Sequence, residues 1–421
     1  MTLLLLLQHE YADSLFADSV EESTGGTVGS SSYARAEWTF VLADSAGVVK
    51  DVLDPGVVNA ELTLRRSEAS TLDLQFQGED ERASNVVTQL TLTKPLVYAY
   101  RDGKLVFAGF VSAVRESASE DVAMDVTVTD ALGSLQYRLT DSDIEEYDEG
   151  ASNLIAGTLS SGGSSLLAQA NAVAATGLVA GTISNTIGVE TFSAGRDVVY
   201  DKVRELSSLT NGPDLRVKPQ DGSSTFGILD VGTLYTDSAI YAYFGYGGGT
   251  TGNLTSFNWE ITPPATRVIS LGSEVEGLST VDANVTAAEA RVGVWQKQIA
   301  SNDLYLENDC INAANAAVRL DWTVTATFTP DPAVSYPRPI RDYNVGDLVS
   351  LRALRGSIAY NGSVRVREIA ISIDDSGVEV DHRVEVELGG PGTGQQVDAT
   401  GLYVSTKDTS LLSSGFTDSY S

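Results

Sequence analysis

Short runs of apolar residues that alternate with polar residues, separated by tight turns, constrain the fold of this chain most strongly. A period of two residues places successive side chains on opposite faces of a β-strand. The runs Leu96–Tyr100 and Leu105–Val111 flank the turn Arg101-Asp102-Gly103-Lys104. Asp-Gly between two such runs is the strongest short-range signal of a β-hairpin. The chain is therefore predicted to be rich in antiparallel sheet.

Strand-like segments at this spacing are typical of a small barrel or sandwich. The first block comprises Glu37–Leu42, Ala60–Arg66, Thr71–Phe76, Leu96–Tyr100, Leu105–Val111 and Met124–Asp130. A later block follows a similar order, with Leu348–Leu351, a turn predicted at Asn361-Gly362, Val364–Ile373 and Val380–Leu388. Two interpretations stay open: the blocks share one topology, or they show only the likeness of any two β-meanders.

The middle of the chain has a different character. An acidic run opens it, and the periodicity then predicts helices at Leu166–Ala174 and Asp197–Leu206. Strands are predicted to resume at Leu215–Pro219, Gly227–Val231 and Ile240–Phe244, and a further short helix is predicted at Cys310–Val318. This pattern indicates an α+β unit inserted between two β units.

The predicted fold class is a β-dominated α+β fold, with two tube-like β-barrel or sandwich domains and an inserted α+β domain. The predicted divisions are an N-terminal arm at 1–34, a first barrel at 35–140, the α+β domain at 141–262, a second barrel with a short helical insertion at 263–390, and a C-terminal tail or arm at 391–421. The N-terminal arm is predicted because it ends in the low-complexity stretch Ser23–Ser32, and the C-terminal tail because it is rich in Gly, Ser, Thr and Asp.

Composition excludes several classes of function. The chain has 27 Lys and Arg against 57 Asp and Glu, a formal net charge of -30, and its basic residues are scattered, which argues against nucleic-acid binding. One Cys and two His leave little for a disulfide framework or a zinc site. No apolar run reaches the roughly 18 residues of a membrane span. We expect no enzymatic activity, no cofactor and no membrane span.

Three motifs with possible chemistry have simpler explanations. Residues 247–252 match G-x-G-x-x-G, but the next residues alternate like a strand, so a glycine-rich hairpin loop is predicted instead of a nucleotide site. Asp141, Asp143 and Glu145 offer oxygen ligands for Ca²⁺, although a solvated interdomain loop is the simpler explanation because the glycine and the spacing of an EF-hand loop are missing. Cys310 and His382 could form a nucleophilic pair, but Cys310 suits a small buried helix position.

The chain resembles the minor tail proteins that form the tail hub of long-tailed siphophages, especially of actinobacterial hosts, which are similar to the baseplate hubs of contractile tails. The hairpin within Thr71–Val111 and the block that begins at Asn344 carry this resemblance, together with the order β unit, α+β unit, β unit. It covers roughly residues 35–390. The residues that match the family's pattern are Arg101, Asp102, Gly103, Phe107, Gly109, Gly346 and Asp347.

The resemblance implies a homotrimeric structural protein at the tail tip of the virion, made in the host cytoplasm. Two barrels per chain would give a ring of six that adapts the sixfold tail tube to a threefold tip. DNA would pass through its channel without specific binding. The implied neighbours are a distal tail protein ring, the C-terminus of the tape-measure protein, and other minor tail or receptor-binding proteins. Longer relatives carry a C-terminal hydrolase or receptor-binding extension, which we do not expect here.

Two other functions stay open at the sequence level. A carbohydrate-active tail protein, either an adhesin or a glycan hydrolase, would need a cleft with clustered tryptophans and paired acids. The 4 Trp are widely spaced, so core packing is the expectation for them. A distal tail ring protein would be hexameric and would normally need only one barrel per chain.

Overall fold

The computed structural model describes most of the chain between Ala36 and Leu388. The described residues are 36–77, 80–117, 123–140, 144–184, 187–209, 212–235, 240, 242–247, 252–262, 265–271, 280–284, 293–300, 310, 314, 323–331, 334, 336–355 and 358–388. The predicted arms at 1–34 and 391–421, and with them His9, lie outside these ranges. Of the helices in the described ranges, none is long and apolar enough to cross a membrane.

The first β unit contains every strand that the alternation predicted. Its elements are β1 (Trp38–Ala43), β2 (Val49–Val52), β3 (Val57–Arg65), β4 (Thr71–Gln77), α1 (Glu81–Leu92), β5 (Leu96–Arg101), β6 (Lys104–Ser117) and β7 (Ala123–Asp130). The strands pair in the order β3-β4-β7-β6-β5-β1-β2. Helix α1 was not predicted. It begins at the N-cap Asp80, whose side chain accepts a bond from the Arg82 amide, and it buries Ala83 and Val86.

The α+β unit follows a 3₁₀ helix at Ala131–Tyr137. It comprises β8 (Ile144–Gly150), α2 (Ala151–Ala156), α3 (Leu166–Val173), β9 (Leu178–Ile183), β10 (Gly188–Ala194), α4 (Val199–Ser208), β11 (Asp214–Pro219) and β12 (Gly227–Gly232). Both predicted helices in this part of the chain are confirmed. The helices pack their apolar faces onto side chains of the first β unit, among them Leu96, Tyr98 and Phe110. Strands β1 and β5 are consequently buried on both faces.

The second β unit completes the chain. Its strands are β13 (Tyr243–Gly247), β14 (Leu254–Thr262), β15 (Arg267–Leu271), β16 (Thr280–Asn284), β17 (Gln296–Ala300), β18 (Thr323–Pro330), β19 (Leu348–Arg355), β20 (Ile358–Asp374) and β21 (Glu379–Leu388). Strands β15, β16 and β17 form a small separate sheet. Of the helix predicted at Cys310–Val318, only Cys310 and Ala314 are described, and both are helical and buried.

The turn predicted at Asn361-Gly362 is wrong. Both residues lie inside β20, where Asn361 pairs with Arg352 and Gly362 pairs with Leu351 of β19. The last pair of this ladder is Arg355 with Ile358. In the sequence, Gly356-Ser357 is itself a turn signal that starts with glycine, and it competes with the Asn-Gly signal further along.

Strand β20 joins the two β units into one sheet. Its first half pairs with β19, and its second half pairs with β3, with Ile371 opposite Leu62 and Ile369 opposite Leu64. Among the described residues, thirteen strands form this curled sheet, whose main path is β14-β18-β21-β20-β3-β4-β7-β6-β5-β1-β2. The two units therefore share a core cluster in which Leu62 packs with residues of β18, β20 and β21. The β-dominated α+β class is confirmed, and the domain boundaries stay predictions.

Replacing Ile371 by Ala should lower the free energy of unfolding by about 2–5 kcal/mol, since Ile371 is fully buried in the shared core. Because the core is shared, amide exchange should accelerate in β4 and in β21 alike. Urea denaturation measures the free energy of unfolding. Hydrogen–deuterium exchange shows in which strands amide exchange becomes faster.

The matched control is Val58→Ala, which truncates an exposed β-branched side chain on β3. Its effect should stay within about 0.5 kcal/mol. Faster exchange confined to one β unit in Ile371→Ala would contradict a shared core.

Candidate functional site

One face of the joined sheet is polar and acidic across both β units. Leu62 of β3, Leu72 of β4 and Ile371 of β20 point into the core. The residues next to each of them along its strand therefore point to the opposite face of the sheet. Cross-strand pairing then sets a continuous row from β21 to β7: Asp381, Ser372, Glu61, Asp73 and Thr127. The two β units thus present one surface.

Like charges face each other on this surface. Glu61 lies directly opposite Asp73, an arrangement that weakens a sheet. In the described part of the chain, Glu61, Asp73, Asp125 and Asp381 form no ion pair, whereas the neighbouring Glu368 is paired with Arg65 and Arg383. Asp73 accepts a 2.7 Å bond from the hydroxyl of Thr127, and Asp125 accepts a 3.3 Å bond from the side-chain amide of Gln75. Asp73 and Asp125 are therefore bonded to neutral side chains and not to cations.

A second feature, which we call the seam, is the contact between the start of β1 and the turn that links β20 to β21. Glu37 forms a β-bridge with Val378, and the Trp38 amide donates to the Gly377 carbonyl at 3.1 Å. Gly377 has a φ of +72°, a backbone conformation that favours glycine. The turn of the second β unit therefore reaches the far strands of the first.

A buried charged cluster holds the seam. Glu379 accepts bonds from Arg101 Nε at 2.6 Å and from Trp38 Nε1 at 3.0 Å, and its other oxygen lies 3.1 Å from His382 Nε2. Glu379 is 7% exposed and His382 2%. Burial opposes ionisation of Glu379, but the bonds from His382 and Arg101 outweigh it and lower its pKa to about 2. Glu379 is therefore an ionised link between the two β units.

Among the family-pattern residues of the first unit, Arg101 and the turn Asp102-Gly103 lie at this cluster. Asp102 and Gly103 have φ values of 50° and 72°, as a two-residue hairpin of the primed type requires, and the turn places Arg101 beside Glu379. Phe107 lies in the shared core. A Cβ at Gly109 would lie 2.5 Å from the Thr129 carbonyl oxygen, so the close approach of β6 to β7 favours glycine.

Gly346 and Asp347 lie in a turn of the second unit. Gly346 has a φ of +88°, and a Cβ there would lie 2.1 Å from the ring of Tyr235. Its carbonyl accepts a 2.7 Å bond from Arg365, and the Asp347 carboxylate accepts one from the Asn344 amide. These residues shape the turn before β19. Their role as family-pattern residues stays a prediction.

The acidic run of the α+β unit is not simply a solvated loop. Asp141 and Asp143 lie outside the described residues, and Glu145 lies in β8, which pairs with β10. In the same strand, Glu149 is buried, and bonds from the Ser160 amide, from Asn153 and from the Ser160 hydroxyl lower its pKa to about 2. Within the described ranges no three His, Cys, Asp or Glu side chains are grouped to hold a metal. The calcium hypothesis stays a prediction.

Residues 248–251 of the glycine-rich segment lie outside the described residues, and the strands on either side of it pair with other strands. Gly247 ends β13, which pairs with β19, whereas β14 begins at Leu254 and pairs with β18. The element that follows the glycines is the strand β14, as the alternation predicted. A nucleotide site would require a helix at this place. The expectation for the tryptophans is confirmed at Trp38, which is buried, and is wrong at Trp259 and Trp295, which are 37% and 42% exposed.

Sequence reasoning missed the charged cluster. From the sequence, His382 is named only as a possible partner of Cys310, and Glu379 is not singled out. The one available signal was an Arg in an otherwise apolar hairpin, because a buried Arg needs a carboxylate partner. Nothing in the sequence marks Glu379 as that partner, since it lies 278 positions away from Arg101.

Comparison with known proteins gives a likeness of fold. No protein-family model and no curated protein matches the chain. The tail protein from Neisseria meningitidis MC58 has a TM-score of 0.52 at 12% identity, over 85% of this chain and 98% of that one. The 43 kDa tail protein of prophage MuSo2 from Shewanella oneidensis has a TM-score of 0.48 at 13% identity, over 83% and 97%. The chain has the fold of the Neisseria tail protein.

Replacing Glu379 by Gln should lower the free energy of unfolding at pH 7 by about 3 kcal/mol, because Arg101 would keep a buried charge without its anion. The depressed pKa of Glu379 stabilises the fold above the carboxyl's ordinary value of 4.5, and this contribution disappears as pH falls from there toward 2. The variant should lack that part of the acid dependence. Urea denaturation between pH 3 and pH 7 measures both effects.

Glu385→Gln is the matched control, since Glu385 lies on the same strand and pairs with the half-exposed Arg367. Its cost should remain below about 1 kcal/mol. Equal losses of unfolding free energy in the two variants would show that the buried cluster stabilises the fold no more than an exposed ion pair does.

Proposed function

We propose that this protein is a structural virion protein that forms the trimeric tail hub at the tail tip of a siphovirus. Each chain supplies two β units, so three chains present six units in a ring and adapt a sixfold tail tube or distal ring to a threefold tip. The observation that carries the proposal is the joined sheet, in which β3 and β20 bring the two units onto one continuous surface. No catalytic step and no cofactor belong to this function.

The fold likeness supports a place in a phage tail. The Neisseria protein of the same fold is described as a tail protein, and almost the whole of it matches this chain. A shared fold does not by itself imply a shared function. The sequence resemblance to tail hubs is independent of that comparison, because it rests on the Asp102-Gly103 hairpin and on the block that begins at Asn344.

The acidic row supports a role as the wall of a channel. A surface with Glu61, Asp73, Asp125 and Asp381 unpaired repels phosphates, so DNA would slide past it without binding. We assign this face to the lumen of the ring, where it assists DNA ejection. The opposite face of the sheet is occupied by the shared core and is unsuited to that role.

The remaining surfaces would contact the neighbours that the hub position requires. These are a distal tail protein ring above, the C-terminus of the tape-measure protein inside, and other minor tail or receptor-binding proteins below. The siphophage type and the actinobacterial host range rest on the sequence resemblance alone.

The first test is the symmetry of the assembled protein, measured by mass photometry and by particle classes in electron microscopy. We expect three times the 44.5 kDa chain mass and a threefold ring with six similar barrels. A hexamer would favour the distal-ring alternative. A monomer with a deep cleft lined by acids would favour glycan hydrolysis.

Charge reversal tests the channel. Glu61→Lys together with Asp73→Lys should make the assembled ring retain double-stranded DNA at low salt, because Lys binds phosphates and releases their counterions. The wild-type ring should not retain DNA. A gel-shift series over ionic strength measures the effect.

The control is the pair Glu81→Lys and Asp201→Lys, which changes the net charge equally on helices α1 and α4, outside the acidic row. Equal DNA retention by both pairs would place the acidic row away from the channel.

A further inference from the structure

Two cations lie together on the surface where the first β unit meets the α+β unit. Lys94 holds its Nζ 4.0 Å from the centre of the Phe110 ring and 5.6 Å from the centre of the Phe226 ring. Tyr137 packs edge-on against the same Phe110 ring, with the ring centres 6.1 Å apart. The next residue, Arg138, donates from Nη1 to the Tyr137 carbonyl at 3.0 Å. Lys94, Tyr137 and Arg138 thus form one patch, which we call the cationic patch.

Neither cation of the patch has an anionic partner in the part of the chain that the structure describes. Other cations of the α+β unit do have one, as Lys202 has in Glu205 and Arg204 has in Glu68. Partial burial of its ammonium, and then the charge of Arg138, lower the pKa of Lys94 to about 8. Two neighbouring like charges without an anion disfavour each other, and a carboxylate placed between them would remove this repulsion.

Arg138 has hydrogen-bond donors to spare. Of the five N–H groups of its guanidinium, one on Nη1 bonds to the Tyr137 carbonyl and one on Nη2 lies 3.5 Å from the Ala174 carbonyl oxygen. Its Nε is buried and has no acceptor among the described residues. One N–H on each terminal nitrogen is left over, and this planar fork matches the two oxygens of a carboxylate.

Apolar side chains flank the two cations. Tyr137 is 61% exposed, although its ring is fixed against Phe110, and Val173, the neighbour of Ala174 in the chain, is 73% exposed. Tyrosine and arginine beside exposed apolar groups are typical of a protein-binding surface. A matching occupant therefore carries carboxylates and apolar side chains together.

The sequence of the N-terminal arm has this composition. Residues 1–34 contain no Lys and no Arg, and the segment 9–22 reads HEYADSLFADSVEE. Apolar Tyr, Leu, Phe and Val residues alternate there with five acids, which are Glu10, Asp13, Asp18, Glu21 and Glu22. The segment lies outside the described residues, and its sequence complements the cationic patch in charge and in apolar content.

The direction of β1 favours an arm from a second copy over the arm of the same chain. Trp38 pairs with Arg101, and Ala43 pairs with Leu96, two residues after Lys94. The chain therefore enters β1 at the end remote from the patch, about 20 Å away at 3.3 Å per residue. An arm bound to the patch of its own chain would have to turn back along the sheet, whereas the arm of a second copy has no such constraint.

We propose that the cationic patch binds the segment 9–22 of the N-terminal arm of a second copy of this chain. Carboxylates of the segment pair with Lys94 and Arg138, and its apolar side chains cover Tyr137 and Val173. The inference rests on the proposed assembly of several copies, and it assigns one of the contacts that hold neighbouring copies together.

Carbodiimide coupling on the assembled full-length protein tests the contact, because this reagent joins an amine to a carboxylate only when the two already touch. Peptide mass spectrometry should find Lys94 joined to an acid of the segment 9–22. Lys297, which is exposed in β17, should not be joined to that segment. A wild-type assembly in which Lys94 is not coupled to the segment would overturn the proposal.

A pair of complementary variants shows which copy supplies the arm. The first variant is Lys94→Gln with an unchanged arm, and the second keeps Lys94 and has the five acids of the segment replaced by Gln or Asn. Lys94 is exposed, so neither variant should disturb the fold. Each variant alone should give no cross-link, and co-expression of the two should restore it. A cross-link in the wild type that co-expression fails to restore would show that the arm binds its own chain, against the proposal.

Arg138→Gln should lower the yield of the Lys94 cross-link at least about fivefold at low salt, because the carboxylate loses its second cation. The matched control is Arg196→Gln, which removes an exposed arginine of the α+β unit away from the patch and should leave the yield unchanged. Equal yields in the two variants would contradict a role of Arg138 in the contact.

Mass photometry of the same samples separates this inference from the proposed function. A threefold assembly without the Lys94 cross-link would overturn the contact and leave the hub proposal intact. A cross-link restored by co-expression in an assembly of another size would support the contact and contradict the trimer. A monomeric wild type without the cross-link would contradict both.

Discussion

The ladder between β3 and β20 is the interaction on which the rest of the structure depends. It pairs a strand near the start of the described chain with one near its end, and it places Leu62 and Ile371 side by side in one core. Such a pairing has a large entropic cost of closure, which the buried apolar side chains must offset. Once it forms, the two β units have a fixed register and one shared polar face.

The seam serves a different purpose from the ladder. A fully apolar contact would bury the start of β1 more cheaply than the Arg101–Glu379 pair, because buried ions lose their hydration. The charged groups instead specify one geometry of the contact, since Glu379 can bond to Arg101, Trp38 and His382 at once only in one arrangement. The seam thus fixes where the β20–β21 turn meets β1, while the ladder supplies the stability.

The acidic side chains of the described residues fall into two groups, one buried and bonded and one exposed in the row that we propose as a channel wall. Acids that stabilise the fold are buried and bonded, as Glu379 and Glu149 are, and their pKa values are low because donors surround the carboxylates. The acids of the central row lie opposite one another, and this placement weakens the sheet. The proposed role as a wall that repels DNA would give a physical reason for such a row, and the net charge of -30 is consistent with that proposal.

The sequence by itself determined the local structure. Alternation identified the strands of the first β unit, and Asp102-Gly103 identified its hairpin, because both signals act between neighbours in the chain. The sequence pattern did not indicate helix α1. It misplaced the turn at Asn361-Gly362, because Gly356-Ser357 is a competing turn signal nearby. Only the tertiary structure decided that the two units share a sheet, that Glu379 is the partner of Arg101, and that Glu61 faces Asp73 beside Ser372. These are pairings between distant segments, and an alternating strand carries no mark of the strand that it will pair with.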